Sequence, residues 1–245
     1  MRAVGTARIR EIENLEEYAQ GPWKQQIKQA GMNPCVLRFL VERVILGTLA
    51  KRGTSFAGDK FDAVKKQPKL LKFPGTFPDN APKWDTPTVY IPTSYNYEAV
   101  DAVLVNRTNH ERPRQTRQTR AAVKGSGGDP ALEEENSKSK AVVVGIQITI
   151  AQSHRDSESC FMRGWQRWDT LMGCEETEFR FLWIVESVPV GKPHDWEEVG
   201  EKKIFLEKGE ITVHPAYQRR YISVTEFNNE LGEALRNARA CTGEL

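Results

Sequence analysis

Between Val142 and Glu186 the chain changes its hydrophobic period twice, and that change restricts the topology. In VVVGIQITI, apolar side chains recur at every second position: Val142, Val144, Ile146, Ile148 and Ile150. Side chains alternate across a strand, so these residues share one face, while Gly145, Gln147 and Thr149 share the other. SESCFMRGWQRWDTLMG then carries Phe161, Trp165, Trp168 and Met172 at steps of four, three and four, a helical stripe. EFRFLWIVES returns to a strand apolar enough to be central in a sheet. A strand–helix–strand unit of this kind is a crossover, which favours parallel pairing of its two strands. The sheet must then be covered by helices.

The remaining elements fit around that unit. GMNPCVLRFLVERVILGTLAKRG opens with Asn33 as N-cap and Pro34 at the first helical position. It is apolar almost all round, apart from Arg38, Glu42 and Arg43, so it should be buried. TPTVYIP and AVDAVLV (99–105) read as two strands joined closely enough for a hairpin or meander. EITVHP reads as a further edge strand and VTEFNNELGEALRNARA as a terminal helix. Residues 51–85, rich in Lys, Pro and Gly, read as irregular. The expected fold class is α/β, a mixed central sheet with helices on both faces. The expected organisation is an N-terminal polar helix over 1–32 and one α/β domain over 33–245.

Within that domain the segment 106–140 reads as an insertion. RTNHERPRQTRQTRAAVK holds Arg107, Arg112, Arg114, Arg117, Arg120 and Lys124 against the single acid Glu111, and a Gly/Ser-rich stretch follows it. A loop of that length is either disordered or functional. As a basic arm it would touch phosphates through Arg112, Arg114, Arg117 and Arg120. The formal net charge is only +2, so the overall balance does not itself argue for nucleic acid. No apolar run approaches the ~18 residues a membrane helix needs, and the N-terminus shows no secretory signal. Cys35, Cys160, Cys174 and Cys241 are scattered without a CxxC, which points to reduced thiols and excludes a clustered zinc site.

Asp101 stands alone in an apolar strand, where a carboxylate must be paired, bind a metal or face water at an edge. Gln147 and Thr149 place two polar groups roughly 6–7 Å apart on one face of the next strand. If the Asp101 strand pairs with the Gln147 strand, the acid comes beside the amide, an arrangement able to hold magnesium against a phosphate. His154 follows the strand at the start of the next helix, as a general base, a phosphate contact or a simple cap. VHPAYQRRYIS interleaves Tyr217, Arg219, Arg220 and Tyr221, which suits stacking and phosphate contact or an exposed basic edge.

This order of elements, with Asp101 on the second strand and Gln147-x-Thr149 on the third, resembles the α-β-β-β-α-β core of the PD-(D/E)xK restriction-endonuclease-like fold. Glu42 falls where that superfamily often carries an acid. The resemblance implies Asp101, Gln147 and Glu42 as magnesium ligands and Asp101, Gln147, Thr149 and His154 as catalytic positions. The chain departs from the pattern at Val100, where proline is usual, at Gln147, where an acid is usual, and at Thr149, where the lysine belongs. Threonine has no charge with which to stabilise the transition state. Lys140, Arg155, Arg163 and Arg167 are the candidates for a migrated cation, the last two sharing a helix face one turn apart.

The strings TVYIPTSYNYEAVDAVLV, VVGIQITIAQSH, FRFLWIVE and VHPAYQRRYIS are also similar to the C-terminal region of the trypanosomatid retrotransposon hot spot proteins, over roughly residues 80–240. That resemblance implies a multigene family tied to retrotransposon insertion, a nuclear or perinuclear location in place of a default cytoplasmic one, and kinship with the endonuclease-like domains of the Crinkler class. Family members often carry an upstream P-loop ATPase. This sequence has no GxxxxGK[ST], so no nucleotide is expected and the chain looks like a truncated or C-terminal form. Three functions remain open: a degenerate nuclease-like protein that binds nucleic acid or chromatin proteins, an active magnesium-dependent endonuclease, and a protein-interaction module.

Overall fold

Asn33 does what its position demands: its side-chain oxygen accepts the backbone N–H groups of Cys35 and Val36, at 3.1 and 3.2 Å. The helix it caps is buried continuously from Val44 to Ala50, as a helix apolar almost all round must be. The computed structural model describes residues 14–15, 21, 23–30, 33–52, 67–73, 77–93, 100–109, 139–150, 157–205 and 211–240. Its helices are α1 (Trp23–Ala30), α2 (Pro34–Arg52), α3 (Ser157–Arg163), α4 (Trp165–Met172), α5 (Val224–Phe227) and α6 (Asn229–Ala240). Its strands are β1 (Lys69–Phe73), β2 (Thr88–Pro92), β3 (Ala102–Asn109), β4 (Ser139–Thr149), β5 (Glu176–Val185), β6 (Glu197–Val199), β7 (Lys202–Phe205), β8 (Ile211–His214) and β9 (Tyr217–Ser223).

One sheet runs in the order β1-β2-β3-β4-β5-β9-β6, and β7 and β8 form a separate ribbon. The sheet is mixed: β2, β3 and β4 meander antiparallel, while β4, β5 and β9 run parallel. The 142–186 crossover is therefore parallel, as its two changes of period require.

The two faces of β4 separate the core into two halves. Val144, Ile146 and Ile148 join Leu104, Leu182, Ile184 and the buried sides of α1, α2 and α6. Val143 joins Val103, Phe181 and Trp183 under Phe161, Trp168 and Met172 of α3 and α4. Gly145 marks where that second layer comes closest. A methyl group there would lie 2.9 Å from the Phe161 ring, so a side chain would force Phe161 out of place.

Several boundaries differ from the sequence expectation, each for a physical reason. Of the expected polar N-terminal helix, the Trp23–Ala30 part packs inward: Trp23, Ile27 and Ala30 recur at helical spacing and are buried against the core. The helix after β4 is two helices, broken at Gly164. The span read as irregular contains β1, which pairs in parallel with β2. Pairing also extends into both ends of the expected insertion. Asn106–Asn109 lies opposite Ser139–Val142, because a neighbouring strand satisfies backbone groups whatever the side chains are. Arg112, Arg114, Arg117 and Arg120, with the rest of 110–138, fall outside the described residues. No helix among the described residues is long and apolar enough to cross a membrane.

Candidate functional site

The carboxyl end of β4 carries the residues the sequence singles out. β3 pairs with β4 from Ala102 opposite Ile146, so one further step places Asp101 across from Gln147. The ladder ends there, leaving the β4 edge at Ile148 without a facing strand. Asp101 closes it. Its N–H donates to the Ile146 carbonyl at 2.9 Å, and its carboxylate Oδ2 accepts the Ile148 N–H at 2.7 Å. The Gln147 amide turns along the same edge and donates from Nε2 to the Ile148 carbonyl at 3.3 Å. Acid and amide thus meet on adjacent strands, but both are directed at one residue's backbone.

Gln147 is 3% exposed, and its Oε1 has no hydrogen-bond partner. Such a buried, unsatisfied carbonyl is uncommon in a folded protein. Thr149, also buried, lies opposite Val185.

The same face continues across the sheet. Gln147 pairs in register with Trp183, and Trp183 with Tyr221. The last two rings are stacked, 5.7 Å apart and 1° from parallel. Over this row α3 lowers Glu158, whose carboxylate accepts from Trp183 Nε1 at 3.3 Å and from the Tyr217 hydroxyl. Arg219 reaches Glu158 at 3.5 Å and Glu197 at 2.8 Å. Burial raises the Tyr217 and Tyr221 phenols above their ordinary range, and the Glu158 charge raises them further. For Arg219, burial opposes the charge, but the Glu197 bond and the Glu158 charge outweigh it and raise its pKa. Both phenols stay neutral and the guanidinium stays charged at physiological pH.

The other expected residues are dispersed. Glu42 is buried on α2, the helix that packs against the face opposite Gln147. Arg220 is buried, donating to the His194 carbonyl at 2.7 Å and to Glu226 at 3.0 Å. Tyr217, Arg219 and Arg220 therefore belong to an interior strand and form internal bonds, where the sequence allowed an exposed basic edge. Lys140 lies nine positions before Thr149, about 30 Å along the strand at ~3.3 Å per residue. It pairs there with Glu176 at 2.9 Å and Glu178 at 3.5 Å, and cannot stand in for the missing lysine. Arg163 and Arg167 are exposed, on separate helices. His154 and Arg155 fall outside the described residues.

Magnesium asks for a near-octahedral set of oxygens, usually anchored by carboxylates. Among the described residues no group of three or more His, Cys, Asp or Glu could hold a metal ion. Asp101 already serves the backbone, and Gln147 is neutral. The described residues therefore offer the ion too few carboxylates.

Sequence reasoning missed Glu158, Trp183 and Glu197. Trp183 was legible only as a core residue. Glu158 became a hub because α3 crosses above a strand from later in the chain, which no local pattern announces. A depression of about 490 Å³ lies at the carboxyl ends of β5 and β9, lined by Glu186, Ser187, His194, Ser223, Thr225 and Arg236 among others. Open α/β sheets commonly bind ligands at such ends. Comparisons of the chain with family models, with curated proteins and with solved structures return no match.

Proposed function

We propose that the chain is a nucleic-acid-binding protein built on a restriction-endonuclease-like core whose cleavage site is degenerate, in line with its resemblance to the retrotransposon hot spot proteins. The order α2-β2-β3-β4-α3/α4-β5, with β2 to β5 adjacent in one sheet, supports the core. One observation carries the choice of binding over cleavage: the Asp101 carboxylate, where such a core holds its metal, accepts the Ile148 N–H at 2.7 Å. Thr149 in place of lysine points the same way, as does an Arg219 held between two carboxylates. Chromatin-associated partners and a nuclear location follow from the resemblance as part of this proposal.

The test pairs fluorescence anisotropy with a cleavage assay. Single- and double-stranded DNA and RNA are titrated at several salt concentrations, then incubated with Mg²⁺ or Mn²⁺. Binding that weakens with salt, without cutting, is the expected result. Metal-dependent cutting lost in Asp101→Ala would establish the endonuclease instead. No binding under any condition would leave the protein-interaction reading.

A further inference from the structure

Most large apolar side chains of the described residues are covered, so the uncovered aromatic matters. Trp84 is 39% exposed, in the turn that leads into β2. The turn is built to present it. Asp85 follows in the left-handed region at φ 54°, a conformation few residues other than Gly, Asn and Asp accept. Asp85 N–H donates to the Arg107 carbonyl at 2.8 Å, which ties the turn to β3. The Arg107 guanidinium lies over the indole, 3.7 Å from the ring centre, and its Nη1 donates to the Pro82 carbonyl at 2.8 Å. One face of the indole is therefore backed by a fixed cation, and no other aromatic ring among the described residues is paired with it.

We infer that Trp84, backed by Arg107, is a stacking platform for an unpaired base of single-stranded nucleic acid; this rests on the nucleic-acid reading above and locates it. Beside that cation the indole keeps over a third of its surface exposed, and every base has a π-face to set against it. Lys83 is exposed beside Trp84, and Lys69, also exposed, is joined to the same turn through its N–H bond to the Pro87 carbonyl. Asp79 and Asp85 are exposed on the same loop and oppose these cations. So mixed a charge would hold a duplex by its phosphates only weakly. Stacking makes up the difference, and stacking needs bases that are not paired.

The test uses the full chain and fluorescein-labelled RNA and DNA strands of about 20 nucleotides, long enough for a stacking site of this kind, with the matching duplexes as controls. Trp84→Ala is expected to weaken single-strand binding by roughly 5- to 150-fold, the range for losing one base–aromatic stack. Trp84→Phe, which keeps a ring, should recover most of it, and duplex binding should change little. Circular dichroism checks that both variants fold, and the Phe variant keeps the test decisive should the Ala variant not. If the parent chain binds single strands and both variants bind them equally well, the platform is wrong and the nucleic-acid reading stands. An equal loss on duplexes would assign Trp84 to a general surface and overturn the stacking assignment. A parent chain that binds nothing overturns both.

Discussion

Replacing Asp101 separates a structural carboxylate from a functional one by the sign of the stability change. The Ile148 N–H lies within the core, since Ile148 is 2% exposed, and Asp101 Oδ2 accepts it at 2.7 Å. Hydrogen bonds to charged groups contribute about 1.5–3 kcal/mol, and a stranded buried donor costs about 1–3 kcal/mol. Asp101→Ala removes the acceptor and strands the donor, so it should destabilise the chain by about 2 kcal/mol. Asp101→Asn keeps a carbonyl oxygen and loses only the charge, for about half that loss. At about 2–4 °C per kcal/mol for a domain of this size, the alanine variant should melt roughly 4–8 °C lower. Urea unfolding at constant m-value measures the difference, and hydrogen exchange at the Ile148 amide localises it. An acid kept for function, at a cost in stability, behaves in the opposite way, and its removal commonly stabilises. The reasoning is refuted if Asp101→Ala is neutral or stabilising, or if the Ile148 amide exchanges no faster.

Three further outcomes follow from particular contacts. Gly145→Ala should destabilise by about 1–3 kcal/mol, since its methyl group would meet Phe161, itself 1% exposed; Phe161→Leu in the same chain should recover part of the loss in a urea titration. Tyr217→Phe takes a donor from Glu158 and should cost about 1–2 kcal/mol by the same measurement, with no loss if the hydroxyl is idle. Burial pushes the Tyr90 phenol from about 10 up to about 12, against a weaker lowering by Arg107. The unfolded chain then loses its proton first, so this contribution to stability is intact below pH 10 and declines between about pH 10 and 12. The gap in melting temperature between the parent and Tyr90→Phe should shift in the parent's disfavour across that window, and a constant gap would count against the assignment.

The fold was legible where one side-chain pattern dominated. The period-two run in β4, the capped apolar helix at Asn33 and the 142–186 crossover each needed only local information. The ends of β3 and β4 were not legible, because Asn106–Asn109 and Ser139–Ala141 carry no apolar alternation and are strands through pairing with their neighbours. β9 was misjudged for a related reason. QRRY looks like an exposed edge, yet it lies between β5 and β6, where Glu197 and Glu226 neutralise its arginines. Of the candidate site, the Asp101–Gln147 juxtaposition was legible only on the condition that their two strands pair, and the β3–β4 register meets it. That Asp101 faces a backbone N–H depends on where β3 stops, which one residue's identity does not determine.

The two ends of β3 now carry opposite kinds of chemistry. At its start, Asp101 supplies the acceptor that an ended ladder lacks. At its other end, six residues and about 20 Å away at ~3.3 Å per residue, Arg107 backs an exposed indole. A nuclease needs an acid held ready for a metal and a cation held ready for a phosphate, in one place. Here the acid is committed to the fold at one end, and the accessible aromatic–cation pair stands at the other. On the proposed reading a strand would bind at Trp84 without bringing a phosphate to Asp101, so nucleic-acid affinity and any residual cutting should respond to different substitutions. Trp84→Ala should lower affinity with Asp101→Asn leaving it intact, and a chain in which both substitutions reduce affinity equally would place the bound strand across the whole length of β3.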